Sequence, residues 1–383
     1  MASSHDIVVI GSGIIGCAVA FELGRRGAQV LVVDDREPGM GATQASAGML
    51  APYNEVEGEG PHLELTARSL DAYDAFMARL RADSAEAVEY CRTGTLTVAF
   101  DDGEAKRLNE LATFLSGKAV VAEMLDASDV RREEPALSSA VRCGLLVPCH
   151  GFVAAAALAR ALASAAARHG VRFERAPRAR HVRARGSRLE VSNGSWSVSA
   201  ERVVIAAGSW AGQIDLEGAT GAIPVHPVRG QLLQLRACGS NLRRVTWGDR
   251  CYLVPWSDGS LLVGATVEHV GFDERTTIGG LQELLDGVGA TLDPSWATSP
   301  VSARAGLRPG TPDDLPIVGA SPVLQSVMYA TGHYRNGVLL APITATLVAD
   351  ALLDGRLDPL LEATRPDRFA PIMPEAGSLK PEA

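Results

Sequence analysis

Residues 5–34 read HDIVVIGSGIIGCAVAFELGRRGAQVLVVD, and each part of the stretch points to one supersecondary unit. The run DIVVIG is apolar and β-branched, as an interior parallel strand covered on both faces should be. GSGIIG follows at once and sets Gly11, Gly13 and Gly16 in G-x-G-x-x-G spacing. CAVAFELGRRG then reads as a helix with an apolar face, closed by Gly27. AQVLVVD is a second buried strand ending on Asp34. The glycines have separate reasons. Gly11 allows the tight turn, Gly13 lets a pyrophosphate approach the backbone, and Gly16 lets helix pack closely on strand. Phosphates would sit at the helix N-terminus, with Asp34 on the ribose hydroxyls of the adenosine half. A bare G-x-G-x-x-G is a weak signal. Here the strands, the helix and the terminal acid surround it, which argues for a dinucleotide site over a coincidental α/β turn.

The 383 residues exceed what one core usually serves, so two domains are expected. Apolar content of 46% and 39 glycines suit a globular α/β protein rich in turns. A formal charge of −9, with arginines scattered among acids, gives no basic surface for nucleic acid. Cys17, Cys91, Cys143, Cys149, Cys238 and Cys251 form no C-x-x-C pair and are too sparse for a disulfide scaffold; buried free thiols are expected. No stretch reaches transmembrane length without charge, and with MASSHD leading straight into the first strand no signal peptide is expected. A cytoplasmic protein with no membrane partner is the expectation.

Beyond Asp34, DREPGMGATQASAGMLAP is a loop of small side chains, open to close approach by backbone or ligand. Residues 62–80 repeat apolar positions with helical spacing; Tyr73 and Met77 among them read as core. TGTLTVAF (93–100) alternates as a strand, Asp101-Asp102-Gly103 as its turn, and 104–115 as a helix. GFVAAAALARALASAAARHG (151–170) reads as one alanine-rich helix. Asn193-Gly194 fits a type I′ hairpin turn flanked by Leu189/Val191 and Trp196/Val198. VVIAAG returns to the opening sheet, placing Ser209 to Gly212 just past a strand end. Residues 224–299 change to strands parted by polar turns, an antiparallel sheet, with a helix over 281–292. Strand VMYAT then precedes Gly332 to Gly337 and a helix from about Leu340 to Leu353. Residues after Arg365 read as a pendent tail. The fold expected is therefore α/β: a discontinuous nucleotide-binding domain (1–84, 148–223 and 301–365), a mostly antiparallel substrate domain (85–147 and 224–300), and a tail (366–383).

Three glycine-marked segments, 11–16, 208–212 and 332–337, return to one sheet at long intervals. An NAD dehydrogenase needs the first alone; an extended FAD, gripped at both ends, would use all three. Arg308 in GLRPG and Arg335 in GHYRNG lie among apolar and glycine neighbours, where an arginine needs a partner. One solution is an ion pair with Asp313 or Asp314, the other a bidentate clamp on a substrate carboxylate. Tyr252 in CYLVP either adds a hydroxyl to that carboxylate or packs in the sheet. His333 is a candidate base, although oxidation of an amine by hydride transfer chiefly demands orientation. His226 and His269 read as structural, and with Cys251 they give no metal template. Neither G-x-S-x-G nor a Walker A motif occurs, so hydrolase and nucleotide-triphosphatase readings have no motif behind them.

The segments VVIGSGIIGCAVAFELGRRGAQVLVVD, ATQASAGMLAP, VVIAAGSWAG, PVRGQ (227–231), CYLVPWSDGSLLVGATVE, GLRPGTPDDLPIVG and GHYRNGVLLAPIT together resemble the FAD-dependent D-amino acid oxidase superfamily, most closely the glycine oxidases of thiamine biosynthesis. The resemblance runs from residue 5 to about 355. It implies a Rossmann-like FAD-binding domain of the glutathione-reductase type beside a mostly antiparallel substrate sheet. It implies oxidation of glycine, sarcosine or small D-amino acids, with oxygen as acceptor, hydrogen peroxide as product and a homotetramer. The FAD would be non-covalent, since no cysteine follows Cys251 where a covalent link would need one. The carboxylate-binding arginine falls on Arg308, its tyrosine partner on Tyr252, and a second arginine on Arg335, which together form the expected catalytic set. Cofactor contacts fall on Gly11, Gly13, Ile14, Ile15 and Gly16, and on Asp34 and Asp35. They continue through Thr43, Gln44, Ala45, Ala47, Gly48 and Met49, then Ala207, Gly208, Trp210, Gly230 and Arg308. His333, Tyr334, Arg335, Asn336, Gly337, Val338 and Leu339 complete them. Arg304 replaces a tryptophan usual in the family; it either faces solvent or is a substrate contact, which would favour a more acidic or larger substrate. Trp256 also stands where a basic or polar residue is common. The alternatives are a D-amino acid or sarcosine-type dehydrogenase with another electron acceptor, and a catalytically lapsed flavin-binding subunit.

Overall fold

The computed structural model describes residues 4–54, 58–238, 242–293 and 297–369. β1 (Ser4–Ile10), α1 (Ile14–Arg25) and β2 (Val30–Asp34) form as their composition requires. β1 lies between β2 and the strand Ser197–Ile205, parallel to both. The strand Val327–Thr331 pairs parallel beyond Ser197–Ile205, and Arg172–Arg175 pairs parallel beyond β2. The glycine segments therefore follow three neighbouring strands of one sheet, at the strand ends where open α/β sheets hold ligands. Ile7 and Val9 pack under α1, while Val8 and Ile10 join a second apolar cluster on the opposite face.

α1 is buried from Ile14 to Gly24 because helices press on it from both sides, Ala155–Arg168 on one and Gly337–Ala349 on the other. The last of these begins at Gly337, three residues before the expected start, and contains Pro342. Proline has no N–H for the Val338 carbonyl, and that carbonyl accepts the Tyr73 hydroxyl instead, at 3.1 Å. Ser69 Oγ donates to Leu339 O at 2.6 Å and accepts from Ile343 N at 3.4 Å. Both come from α2 (Pro61–Asp83), whose apolar face supplies the core contacts expected of it. The span Gly337–Asp354 is long and apolar enough to cross a membrane by composition alone, and 61% of it is buried inside this protein.

The second sheet has eight strands in the order Ala297–Gly310, His226–Cys238, Ser260–Gly264, Tyr252–Pro255, Val245–Trp247, Thr95–Ala99, Cys143–Val147 and Glu123–Asp126. One pair, Val245–Trp247 with Thr95–Ala99, is parallel and the others are antiparallel. The boundary expected at 300/301 falls inside its edge strand, so Arg304 and Arg308 belong to the substrate sheet.

Four local expectations need correction. Gly151–Val153 is a short strand paired with Met49–Leu50, and the alanine-rich helix starts only at Ala155. Asp101 is no turn residue: its carboxylate accepts Glu104 N and caps the helix Asp102–Gly117. The hairpin loop is four residues, 193–196, because Asn193 Oδ1 accepts from both Ser195 N and Trp196 N and takes Trp196 out of the strand. The first residues of the supposed tail are docked, with Arg368 in an ion pair with Asp313 at 2.7 Å; residues 370–383 lie outside the described ones. Of the thiols, Cys17 and Cys251 are buried and free, Cys91, Cys143 and Cys149 are partly exposed, and the Cys238 side chain is outside the described residues.

Candidate active site

The three glycine-marked strand ends open on one cavity, partly open to solvent. Its lining runs from Gly11 and Asp34 to Tyr252 and Arg308, an extent that suits an extended dinucleotide. Gly11 sits at φ +107°, and a Cβ there would lie 2.4 Å from the Ala206 carbonyl oxygen. A Cβ on Gly16 would fall 1.9 Å from Gly11 O, so Gly16 packs helix against turn and does not line the cavity. Two uncapped helix N-termini face the space, α1 and Gly337–Ala349, neither with an acid in its first turn. Thr43 Oγ1 accepts Ile14 N at 3.0 Å, leaving the α1 terminus otherwise ready for an anion. These features fit the pyrophosphate and ring ends of FAD.

Asp34 lines the cavity, and its carboxylate also holds the turn, accepting Ser12 N at 2.6 Å, Ser12 Oγ at 2.9 Å and Arg36 N at 3.0 Å. Burial raises its pKa against the pull of these donors. Beside it the guanidiniums of Arg36 and Arg178 each lie 4.7 Å from the Trp210 ring centroid. Arg178 also bonds Asp35 at 2.7 Å, and Arg36 pairs with Glu274 of the second domain at 2.6 Å. Sequence reasoning found Trp210 and missed both arginines; nothing in the local sequence links residue 36 to residue 178.

At the far end Tyr252, Trp247 and Arg308 join the lining. Arg308 Nη1 donates to Thr266 O at 2.9 Å and Arg229 O at 3.4 Å. Asp313, one of the two acids considered for Arg308, pairs with Arg368 at 2.7 Å. Tyr252 is 7% exposed and packs on Trp247 with ring centroids 5.5 Å apart. Both functional side chains lie over glycines of the neighbouring strands. A Cβ on Gly230 would meet the Arg308 guanidinium at 2.3 Å, and one on Gly264 would meet the Tyr252 hydroxyl at 2.3 Å. Gly230, expected as a cofactor contact, is thus the space that admits Arg308. Arg335, Tyr334, Asn336, Gly337 and Val338 line the cavity as expected, while Leu339 is buried behind it.

His333 lines the cavity and is poorly suited to act as a base. It is 3% exposed, its Nε2 is engaged with Thr344 Oγ1 at 3.0 Å, and burial depresses its pKa to about 3. Arg304 does not reach the cavity: it is partly buried on the same strand face, with Nη2 on Gln234 Oε1 at 3.3 Å and Nε buried without a partner. Gln44 is likewise turned away, and its amide donates to Ala305 O at 2.8 Å. Of the loop that carries it, Thr43, Ala45, Ala47, Gly48 and Met49 do line the space, as do Ile14, Ile15, Gly13, Ala207 and Gly208. Among the described residues no cluster of His, Cys, Asp and Glu forms a metal site.

Residues 6–351 match the family described as FAD dependent oxidoreductase. The chain is 35% identical over 379 residues to the bifunctional protein ThiO/ThiG of Synechocystis sp., a match covering 96% of this chain and 55% of that protein. It therefore spans about half the length of that relative. It is 32% identical over 352 residues to the glycine oxidase of Geobacillus kaustophilus, covering 91% of this chain and 93% of that one. The crystal structure of glycine oxidase from Geobacillus kaustophilus superposes with a TM-score of 0.88, over 93% of this chain and 96% of that one.

Proposed function

We propose that this chain, which belongs to the FAD dependent oxidoreductase family, oxidises glycine and other small amino acids at the Cα–N bond. The observation that carries the reading is the meeting of Arg308 and Tyr252, from separate strands of the substrate sheet, in the cavity that the three glycine-marked ends enclose. When bound, FAD supplies the acceptor for the hydride that leaves Cα. Arg308 grips the substrate carboxylate through its planar fork, and the Tyr252 hydroxyl donates to the same group. Orientation by these two is the protein's main contribution, because His333 is engaged with Thr344 and its depressed pKa makes it a weak base. The imine product hydrolyses in water to glyoxylate and ammonia when glycine is the substrate. Arg304 lies outside the cavity and adds no charge to its lining. The reading includes oxygen as acceptor, a homotetramer and a cytoplasmic location; light scattering on the pure protein measures the assembly.

One experiment tests the reaction. The flavoprotein is mixed without air with glycine, sarcosine, D-alanine, D-proline and D-aspartate in turn. Bleaching of the flavin bands by the small monocarboxylates is expected, and recovery on readmitting air identifies oxygen as acceptor. A flavin that none of the amines bleaches overturns the reading, and one that air leaves reduced favours the dehydrogenase alternative.

A further inference from the structure

We propose that Arg229 and Glu268 are positioning residues for Arg308, holding its guanidinium through the backbone carbonyls that their ion pair fixes. The inference rests on the reading of Arg308 as the carboxylate clamp.

Side chains alternate along the strand His226–Cys238. Val228 pairs with Arg308 on the cavity face, so the Arg229 side chain points to the opposite face. Arg229 is accordingly absent from the cavity lining and 4% exposed. A buried arginine is expensive unless paired, and Arg229 is paired twice: with Glu268 at 2.6 Å and Asp273 at 3.0 Å. The backbones of Arg229 and Glu268 also exchange both N–H···O bonds, each 2.9 Å. Arg229 O, held in that bridge, is one of the two carbonyls that receive Arg308 Nη1.

The second carbonyl, Thr266 O, is fixed by the same acid. Thr266 Oγ1 donates to Glu268 Oε1 at 2.6 Å and accepts Gln231 N at 3.0 Å. Gln231 Nε2 donates to Glu268 Oε1 at 2.8 Å, and Gln231 Oε1 accepts Thr277 N at 2.8 Å, at the cap of the helix Ile278–Thr291. One carboxylate thus ties together the strand carrying Arg229 and the loop carrying Thr266. Neither side chain touches the cavity, yet both carbonyls that aim Arg308 depend on them. Arg229 Nε is buried without a hydrogen-bond partner, so the links through Glu268 and Thr266 carry the positioning, and losing one of them loosens the others.

The test compares Glu268→Gln, Thr266→Val and Thr266→Ser with the wild-type holoenzyme. Measured are FAD content, melting temperature, the dissociation constant of glycolate from flavin absorbance, and anaerobic flavin reduction across a glycine titration. Glu268→Gln and Thr266→Val are expected to weaken glycolate and glycine binding about tenfold or more, with the limiting reduction rate within about twofold of wild type. Thr266→Ser, which keeps the hydroxyl, restores tight binding. Should Glu268→Gln fail to retain FAD, the Thr266 pair carries the comparison. The proposal is overturned if glycolate binding is unchanged in Thr266→Val, or if the limiting rate falls while binding does not. Arg308→Ala with unaltered glycolate binding would instead defeat the reading of the clamp itself, so the two failures are told apart.

Discussion

Gly230→Ala tests the site with a single methyl group. The added Cβ would lie 2.3 Å from Arg308 Nη2, 2.4 Å from Cζ and 2.5 Å from Nη1, where ordinary contact begins at 3.4 Å. The obstacle is the far end of a flexible side chain, so the fold can absorb the change by letting the guanidinium retreat roughly 1 Å. That retreat breaks the geometry of the 2.9 Å bond to Thr266 O and the 3.4 Å contact with Arg229 O. Losing one charge-assisted hydrogen bond costs about 1.5–3 kcal/mol, and a 1 Å misplacement of a positioning group costs up to about a hundredfold. The expected result is a ten- to hundredfold loss in kcat/KM for glycine, roughly as those two effects allow, carried by KM, with FAD content and melting temperature close to wild type. Steady-state kinetics, an absorbance spectrum and a thermal melt give these quantities, and a glycolate titration checks the binding. Wild-type KM and glycolate affinity in a folded Gly230→Ala protein would refute the idea that the glycine exists to admit Arg308.

Arg308→Ala should raise KM for carboxylate substrates by about a hundredfold or more while leaving FAD bound, as kinetics and an absorbance spectrum will show. Gly16→Ala places a Cβ 1.9 Å from a backbone oxygen that has nowhere to go; the product should be insoluble or free of FAD, and a soluble protein with full FAD content would count against the turn geometry. His333 has a folded pKa of about 3 against about 6.5 unfolded, so its contribution to stability is full above pH 6.5 and is lost as pH falls towards 3. His333→Gln should therefore flatten the fall in melting temperature between about pH 6.5 and 4, and an unchanged slope would place the titration elsewhere.

The cofactor half of the fold was legible because it rests on local rules. A Gly-rich turn between a buried strand and a helix has few other solutions, and it recurs where Gly208 and Gly332 end their strands at positive φ. The substrate sheet was legible as a sheet but not as a surface. Nothing local announces that Gly230 and Gly264 are flat places for side chains from other strands, or that Arg304, on the same strand face as Arg308, stops short of the cavity. Pro342 was hidden for a similar reason. Its helix survives because Tyr73 and Ser69, far away in sequence, serve the carbonyls that proline and the bend release.

The way the two sheets are joined explains why a clamp on one can serve a cofactor on the other. The strand Ala297–Gly310 is an edge strand, and an edge leaves alternate carbonyls without a strand partner. Three of these in succession are taken by the cofactor loops. Ala305 O accepts Gln44 Nε2 at 2.8 Å, Leu307 O accepts Ser209 Oγ at 2.8 Å, and Pro309 O accepts Tyr334 N at 3.0 Å. The donors come from the small-residue loop after β2 and from the second and third glycine-marked segments. Thr331 Oγ1 adds a bond to Gly208 O at 3.0 Å, linking the last two to each other. Arg308 therefore projects from a backbone pinned on both sides, at 307 and 309, by the loops that shape the cofactor cavity. On its inner edge the same strand pairs with His226–Cys238, which carries Gly230 and the buried Arg229. Hydride transfer needs the substrate Cα roughly 3–3.5 Å from its acceptor and held within about half an ångström of that placement. The open edge of a sheet, ordinarily a liability, is here the seam along which substrate and cofactor sites are brought into register.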